Sequence, residues 1–158
     1  MKTILQFGKI FLGLAILFLI AGCGVWQELH FTKNKPKESD LIGAYEPDAK
    51  TKKLILKDGG YPFANCKIKV DANSKIEFTN MPDWWQGGFG ESHKQLISTN
   101  GTWNLEKVED CWQIVWSDNK TFDFNLHLMG QKSPYKIFIY IGDPDSDIFM
   151  IFERTTSQ

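Results

Sequence analysis

The sequence predicts an all-β fold, an antiparallel meander that forms a barrel or a β-sandwich, and two features of its pattern indicate this. The clearest is a period of two: from Thr121 to Leu128, polar and apolar side chains alternate, as along a strand with one buried face. The second is regular turn chemistry between short segments of this kind, which is typical of barrels and sandwiches. We find no pattern of a long helix.

Further strands are predicted on the same grounds. They are 67–70, 75–78, 112–116, 135–141 and 148–153. The segments 71–74 and 117–120 are rich in Asp, Asn and Ser, whose side chains bond locally to the backbone, so each is expected to join its flanking strands into a hairpin.

The last two predicted strands are apolar on both faces. Ile137, Ile139, Met150 and Phe152 alternate with a second set, which is Phe138, Tyr140, Phe149 and Ile151. Something must cover that second face. A closed barrel, a sandwich or the returning N-terminal segment would do so.

The N-terminal segment has the layout of a secretory signal. Lys2 and Lys9 precede an apolar run from Ile10 to Ile20, which is shorter than the about 20 apolar residues of a spanning helix. No stop-transfer cluster of basic residues follows it. The segment is therefore expected to be removed on export.

Ile20-Ala21-Gly22-Cys23 ends this run, and it resembles the lipobox of bacterial lipoproteins. The resemblance implies cleavage before Cys23, a diacylglyceryl group on its thiol and a further acyl chain on its freed amine. Several chains hold a protein at a membrane without a spanning helix. Gly24, in place of the Asp that retains enterobacterial lipoproteins at the inner membrane, implies the outer membrane if the host is Gram-negative.

This organisation divides the chain into a signal peptide (1–22), a lipidated cysteine with its tether (23–40) and a single β domain (41–158). Trp26, Leu29 and Phe31 of the tether either pack back on the domain or rest among lipid headgroups.

The net charge of the chain without its signal is close to balance: 18 − 2 = 16 basic residues remain beside 19 acidic ones, a net charge of −3. This near balance argues against nucleic acid or an anionic lipid surface as the partner.

Cys66 and Cys111 remain after lipidation of Cys23, and export places both in an oxidising compartment. We predict that they form a disulfide. The alternative is two separate buried thiols, because the sequence gives no Cα separation. Neither cysteine lies in a recognisable nucleophile motif.

The segment Met81–Gly90 combines Trp84, Trp85 and Phe89 with three glycines. Exposed rings there would stack on sugars or fill a partner's pocket. Alternatively, the two tryptophans plug one end of the barrel while the glycines make the turn. The sequence leaves both interpretations open.

Little in the chain predicts catalysis, a metal or a cofactor. Asp83, Glu91 and His93 are candidates for acid and base roles at one barrel mouth, but surface carboxylates near a loop are common, and a hydrolase built on these residues ranks last. The three histidines are too scattered for zinc. The segment 143–147 begins like a calcium loop, but Ile148 and Arg154 stand where that loop needs Gly and Glu, so a tight turn is predicted.

Gly43-Ala44-Tyr45 and Gly101-Thr102-Trp103 resemble the Gly-x-Trp opening of lipocalin-like barrels, and the segment 142–146 with Phe152-Glu153 is similar to the C-terminal end of small uncharacterised bacterial lipoproteins. These resemblances imply a calycin-type barrel and no particular activity. We therefore expect a membrane-anchored envelope protein that binds and does not catalyse. Its partner is a small apolar or glycan ligand near Trp84, Trp85 and Phe89, or an envelope protein that docks there, as for an inhibitor or assembly factor.

Overall fold

The strands of this chain form a closed eight-stranded antiparallel barrel, which confirms the barrel alternative of the predicted all-β fold. The structure, a computed structural model, describes residues 30–86, 93–118 and 123–155, and the body that contains the barrel begins at Phe31. The strands are β1 (Gly43–Pro47), β2 (Lys67–Val70), β3 (Lys75–Pro82), β4 (Leu96–Val108), β5 (Cys111–Ser117), β6 (Asp123–Met129), β7 (Lys136–Tyr140) and β8 (Phe149–Arg154).

Each strand pairs with the next along the chain, and β8 pairs with β1 to close the barrel. Because neighbours are antiparallel, the connections alternate between two ends. The end that holds the β1–β2, β3–β4, β5–β6 and β7–β8 connections is called the helical end here. The other end is called the arm end, since the segment that begins with Phe31 and Thr32 contacts it.

The helical end carries the helix α1 (Ala49–Lys53), which continues into a π-helical turn at Leu54–Asp58. The Asp48 carboxylate caps α1 by accepting a hydrogen bond from the Thr51 N–H at 2.7 Å. The buried Thr51 hydroxyl accepts from the Ile151 N–H at 2.8 Å and donates to the Ile151 carbonyl, so α1 is fixed against β8. In the described part of the chain, no helix is long and apolar enough to cross a membrane.

The barrel interior is filled by large side chains from every strand. Alternation along β6 to β8 is as predicted, because Leu126, Leu128, Ile137, Ile139, Met150 and Phe152 are all fully buried in one core cluster. Each such side chain stabilises the fold by about 1.5–3 kcal/mol relative to an exposed one.

The second apolar face of β6 to β8 lies outside the barrel wall and carries its own aromatic cluster. Phe138 is fully buried there, stacked on Phe149 at 4.9 Å and edge-on to Tyr140 at 4.6 Å. Phe31 packs edge-on to Phe138 at 5.4 Å and contacts His127 at the same distance. Burial among these rings lowers the pKa of His127. The returning N-terminal segment therefore covers part of this face.

Thr32 fixes that segment in place. Its N–H donates to the Leu128 carbonyl at 2.9 Å, its carbonyl accepts from the Trp112 N–H at 2.8 Å, and its hydroxyl donates to Gly130 O at 2.7 Å. These bonds bridge β5 and β6 where the two strands separate at the arm end. Of the aromatic and apolar tether residues, Phe31 packs on the barrel, whereas Trp26 and Leu29 lie outside the described residues.

Candidate functional site

Trp84 and Trp85 plug the helical end of the barrel. They lie in a single 3-10 turn, Asp83–Trp85, directly after β3, and both are fully buried. The Trp85 ring contacts Phe78 at 4.8 Å, Trp116 at 5.8 Å and Phe124 at 5.2 Å. The structure therefore favours the plug over an exposed binding loop. Phe89, the third aromatic residue of the predicted loop, lies outside the described residues.

Asp83 locks this turn to its surroundings. Its carboxylate accepts hydrogen bonds from the Tyr61 hydroxyl, from the His93 N–H at 2.7 Å and from the Gln95 N–H at 3.1 Å. Asp83 thus meets His93 through the backbone of His93, a residue that is exposed. Glu91 lies outside the described residues. The contacts of Asp83 are those of a residue that orders a loop.

The predicted disulfide between Cys66 and Cys111 is wrong, because both thiols are free. Cys66 directly precedes β2 and Cys111 begins β5. These two strands run in opposite directions around the barrel, so their first residues lie at opposite ends, whereas a bridge requires Cα atoms within about 7 Å. Burial raises the pKa of Cys66 to about 12, so its thiol stays protonated at neutral pH and is a poor nucleophile.

The aspartate-rich segment after β7 is the tight turn that was predicted. It forms a 3-10 turn at Pro144–Ser146, in which the Asp143 carboxylate accepts from the Asp145 N–H at 3.0 Å. Asp147 follows with a left-handed φ of 56°, a conformation that Asp tolerates better than most residues. Within the described ranges, no group of three or more His, Cys, Asp or Glu side chains is arranged to hold a metal ion.

The site that sequence reasoning missed is a cleft between α1 and this turn. It has a volume of about 210 Å³ and is lined by Lys50, Lys53 and Leu54 on one side and by Asp147, Ile148 and Phe149 on the other. Its surface is mainly apolar, with two ammonium groups on one wall and one carboxylate opposite. We call it the lysine cleft.

The two lysines of this cleft are available to a ligand. The Lys50 ammonium lies 4.2 Å from the centroid of the Phe149 ring, a cation–π contact worth roughly 0.5–1 kcal/mol when exposed. Neither Lys50 nor Lys53 forms an ion pair with any carboxylate that the structure describes. An anionic group in the cleft would therefore meet two ammonium groups beside an apolar surface, with the carboxylate of Asp147 on the opposite wall.

A start signal for α1 is present in the sequence, because Asp48 is a favoured capping residue. The cleft itself could not be predicted, because Lys50 and Phe149 lie far apart in the chain. Only the pairing of β8 with β1 brings the two side chains together.

The fold and these contacts define a small eight-stranded barrel that is plugged by tryptophan and carries a cleft on its outside. The chain matches no protein-family model, and neither the curated proteins nor the solved structures gave a match.

Proposed function

We propose that this protein is a lipid-anchored protein of the bacterial cell envelope that acts by binding, and that its ligand occupies the lysine cleft. The sequence Ile20-Ala21-Gly22-Cys23 supports the anchor. The observation that carries the assignment of the ligand to the lysine cleft is the complete burial of Trp84 and Trp85. Since these rings occupy the helical end of the interior, the outside of the barrel offers the better surface for a ligand.

The chemistry of the cleft favours a small amphipathic ligand with one anionic group. Leu54, Ile148 and Phe149 offer apolar contact, and Lys50 and Lys53 offer positive charge. Sites for drug-sized ligands measure about 300–1,000 Å³, so a cleft of about 210 Å³ holds a short acyl segment or one sugar ring. An acidic acyl compound or an acidic glycan end both meet these requirements.

The test of binding is native mass spectrometry of residues 24–158, exported to a periplasm and purified without detergent. We expect a reproducible adduct of small-molecule mass. The double variant Lys50→Glu/Lys53→Glu should lose most of it, because charge reversal repels an anionic group. Lys107→Glu changes charge at an exposed position at the arm end and should keep the adduct. An adduct that survives in the double variant contradicts the cleft assignment.

A protein partner is the second candidate, since a cleft of about 210 Å³ also suits a few side chains of another protein. In that case the purified domain shows no adduct in the mass spectrum. A photocrosslinker placed at Phe149 of the protein in its envelope then captures one discrete protein. An inhibitor or assembly factor would behave in this way.

The anchor makes a separate prediction. Cells fed labelled palmitate should incorporate the label into the native chain, and Cys23→Ser should abolish it, because the thiol is the acceptor that the lipobox resemblance implies. Cys111→Ser is the matched control, since it removes a thiol within the barrel and should leave labelling unchanged. Label retained in Cys23→Ser contradicts the anchor.

A further inference from the structure

The helical end exposes apolar side chains that the core does not use. Among the described residues, the large apolar side chains left exposed are Leu56, at 43%, and Phe63, at 54%. Leu56 lies in the π-helical turn, and Phe63 lies in the connection from that turn to β2. Single exposed apolar residues are common on surfaces, so their neighbours decide whether these two have a role.

The neighbours of Leu56 in the sequence are basic. Within 49–57 the chain has four lysines and no acidic residue, and Lys52 and Lys57 are exposed. At the same end the Lys94 ammonium donates to the Gly59 carbonyl at 2.8 Å. Of the two acidic residues that flank this segment, Asp48 has its carboxylate bonded to the N–H of Thr51, and Asp58 follows the last lysine in sequence.

We propose that four exposed side chains of the β1–β2 connection dock on the surface of an anionic phospholipid bilayer. They are Lys52, Leu56, Lys57 and Phe63, and they are called the basic cap here. Apolar tips flanked by lysines suit this partner, because the tips enter the boundary between headgroups and acyl chains while the ammonium groups meet lipid phosphates. Each lysine near such a surface adds electrostatic attraction to the anionic headgroups.

Charge complementarity selects this occupant. The mature chain has a net charge of −3 by composition, whereas the segment 49–57 has four lysines and no acidic residue, so its attraction to a polyanion is local. The exposed side chains of Asp143, Asp145 and Asp147 lie at the same end, in the β7–β8 connection, so the proposed contact is confined to the β1–β2 connection. A polyanion in solution would need the lysines and leave Leu56 and Phe63 in water, whereas a bilayer engages both sets. The balanced composition, which argued against an anionic lipid surface, is an average over the chain and hides the local positive charge of the segment 49–57.

This proposal is independent of the lipid anchor and of the lysine cleft, and the test keeps them apart. Residues 24–158 without lipid, which contain the whole barrel, are sedimented with vesicles of phosphatidylcholine alone or with 30% phosphatidylglycerol. We expect binding to the anionic vesicles that weakens as salt is raised.

Two variants dissect the contact. Lys52→Glu/Lys57→Glu should weaken binding by at least about tenfold, and Leu56→Ser/Phe63→Ser should weaken it by a similar factor through lost apolar burial. Both leave Lys50 and Lys53 intact. Lys107→Glu is the control and should bind as the parent does. All these positions are exposed, and circular dichroism checks that each variant is folded.

Three outcomes overturn the proposal. The first is no binding to anionic vesicles, and the second is equal binding to both vesicle types. The third is a dimer, seen by sedimentation velocity without lipid, that Leu56→Ser/Phe63→Ser abolishes, since the cap would then hold a second copy. Loss of palmitate labelling or of the small-molecule adduct would leave this proposal standing, because neither measurement involves Lys52, Leu56, Lys57 or Phe63.

Discussion

Replacement of Trp85 by alanine is expected to lower the free energy of unfolding by about 3–5 kcal/mol. The Trp85 side chain is fully buried and contacts Phe78, Trp116 and Phe124. Its removal leaves a cavity that the hydrogen-bonded barrel wall can collapse into only in part, so both transfer energy and packing contacts are lost. Because small domains are stable by only about 5–15 kcal/mol, this one substitution removes a large share of the free energy of unfolding. Urea unfolding followed by far-ultraviolet circular dichroism measures it.

Two companion variants show whether the plug acts through its apolar volume. Trp85→Phe should cost much less than the alanine variant, because the buried Trp85 Nε1 has no hydrogen-bond partner among the described residues, and phenylalanine removes that donor while keeping a ring. Trp112→Ala is the control, since Trp112 is only half-buried beneath the Lys35 ammonium. If the Trp85→Ala variant unfolds at the same urea concentration as Trp112→Ala, Trp85 does not have the plug role.

The strands that alternate cleanly were predictable, because each has one face in the core. β6 shows this best: Leu126 and Leu128 point inward as the period of two requires. The doubly apolar β7–β8 pair also predicted correctly that a second face needs a cover. Phe31 provides part of that cover. Packing of this residue on the domain was one of the two alternatives predicted for the aromatic and apolar residues of the tether.

β4 was missed because its inward face is weakly apolar. Although it is the longest strand at 13 residues, its inward positions include Thr99 and Gly101, which hide the alternation. The helix α1 was missed for a related reason: it is short, and the residue it buries is Thr51, a polar side chain whose partner, Ile151, lies on β8. The local sequence pattern is therefore too weak to predict either element, and contacts with other parts of the fold determine both.

The candidate binding surfaces could be predicted least, since they depend on which elements meet. The sequence shows the two cysteines of the β domain but not the strand directions that place Cys66 and Cys111 at opposite ends. It gives the two tryptophans but not their burial. It also gives the lysines of 49–57 but not the apolar surface of Phe149 beside Lys50.

Gly101 offers the second large effect, because Gly101→Ala adds a single methyl group where no space exists. A Cβ at this position would lie 2.2 Å from the Ser117 carbonyl oxygen and 2.3 Å from the Trp116 Nε1. Glycine within a strand often marks such a close approach of another backbone. We expect a loss of about 1–3 kcal/mol in the free energy of unfolding, toward the upper figure because β4 and β5 must separate to relieve the contact.

The identity of the obstructing atoms provides the decisive control. Trp116→Phe removes the indole nitrogen but leaves the Ser117 carbonyl, so it should not rescue Gly101→Ala. Thr102→Ala, at the exposed next position of β4, should cost within about 0.5 kcal/mol, as surface substitutions usually do. Rescue by Trp116→Phe would place the conflict in the side chain alone, and the β4–β5 backbone contact at Gly101 would then not be what requires glycine. Urea unfolding of the two single variants and the double variant separates these cases, because residues in contact show a coupling energy that independent sites lack.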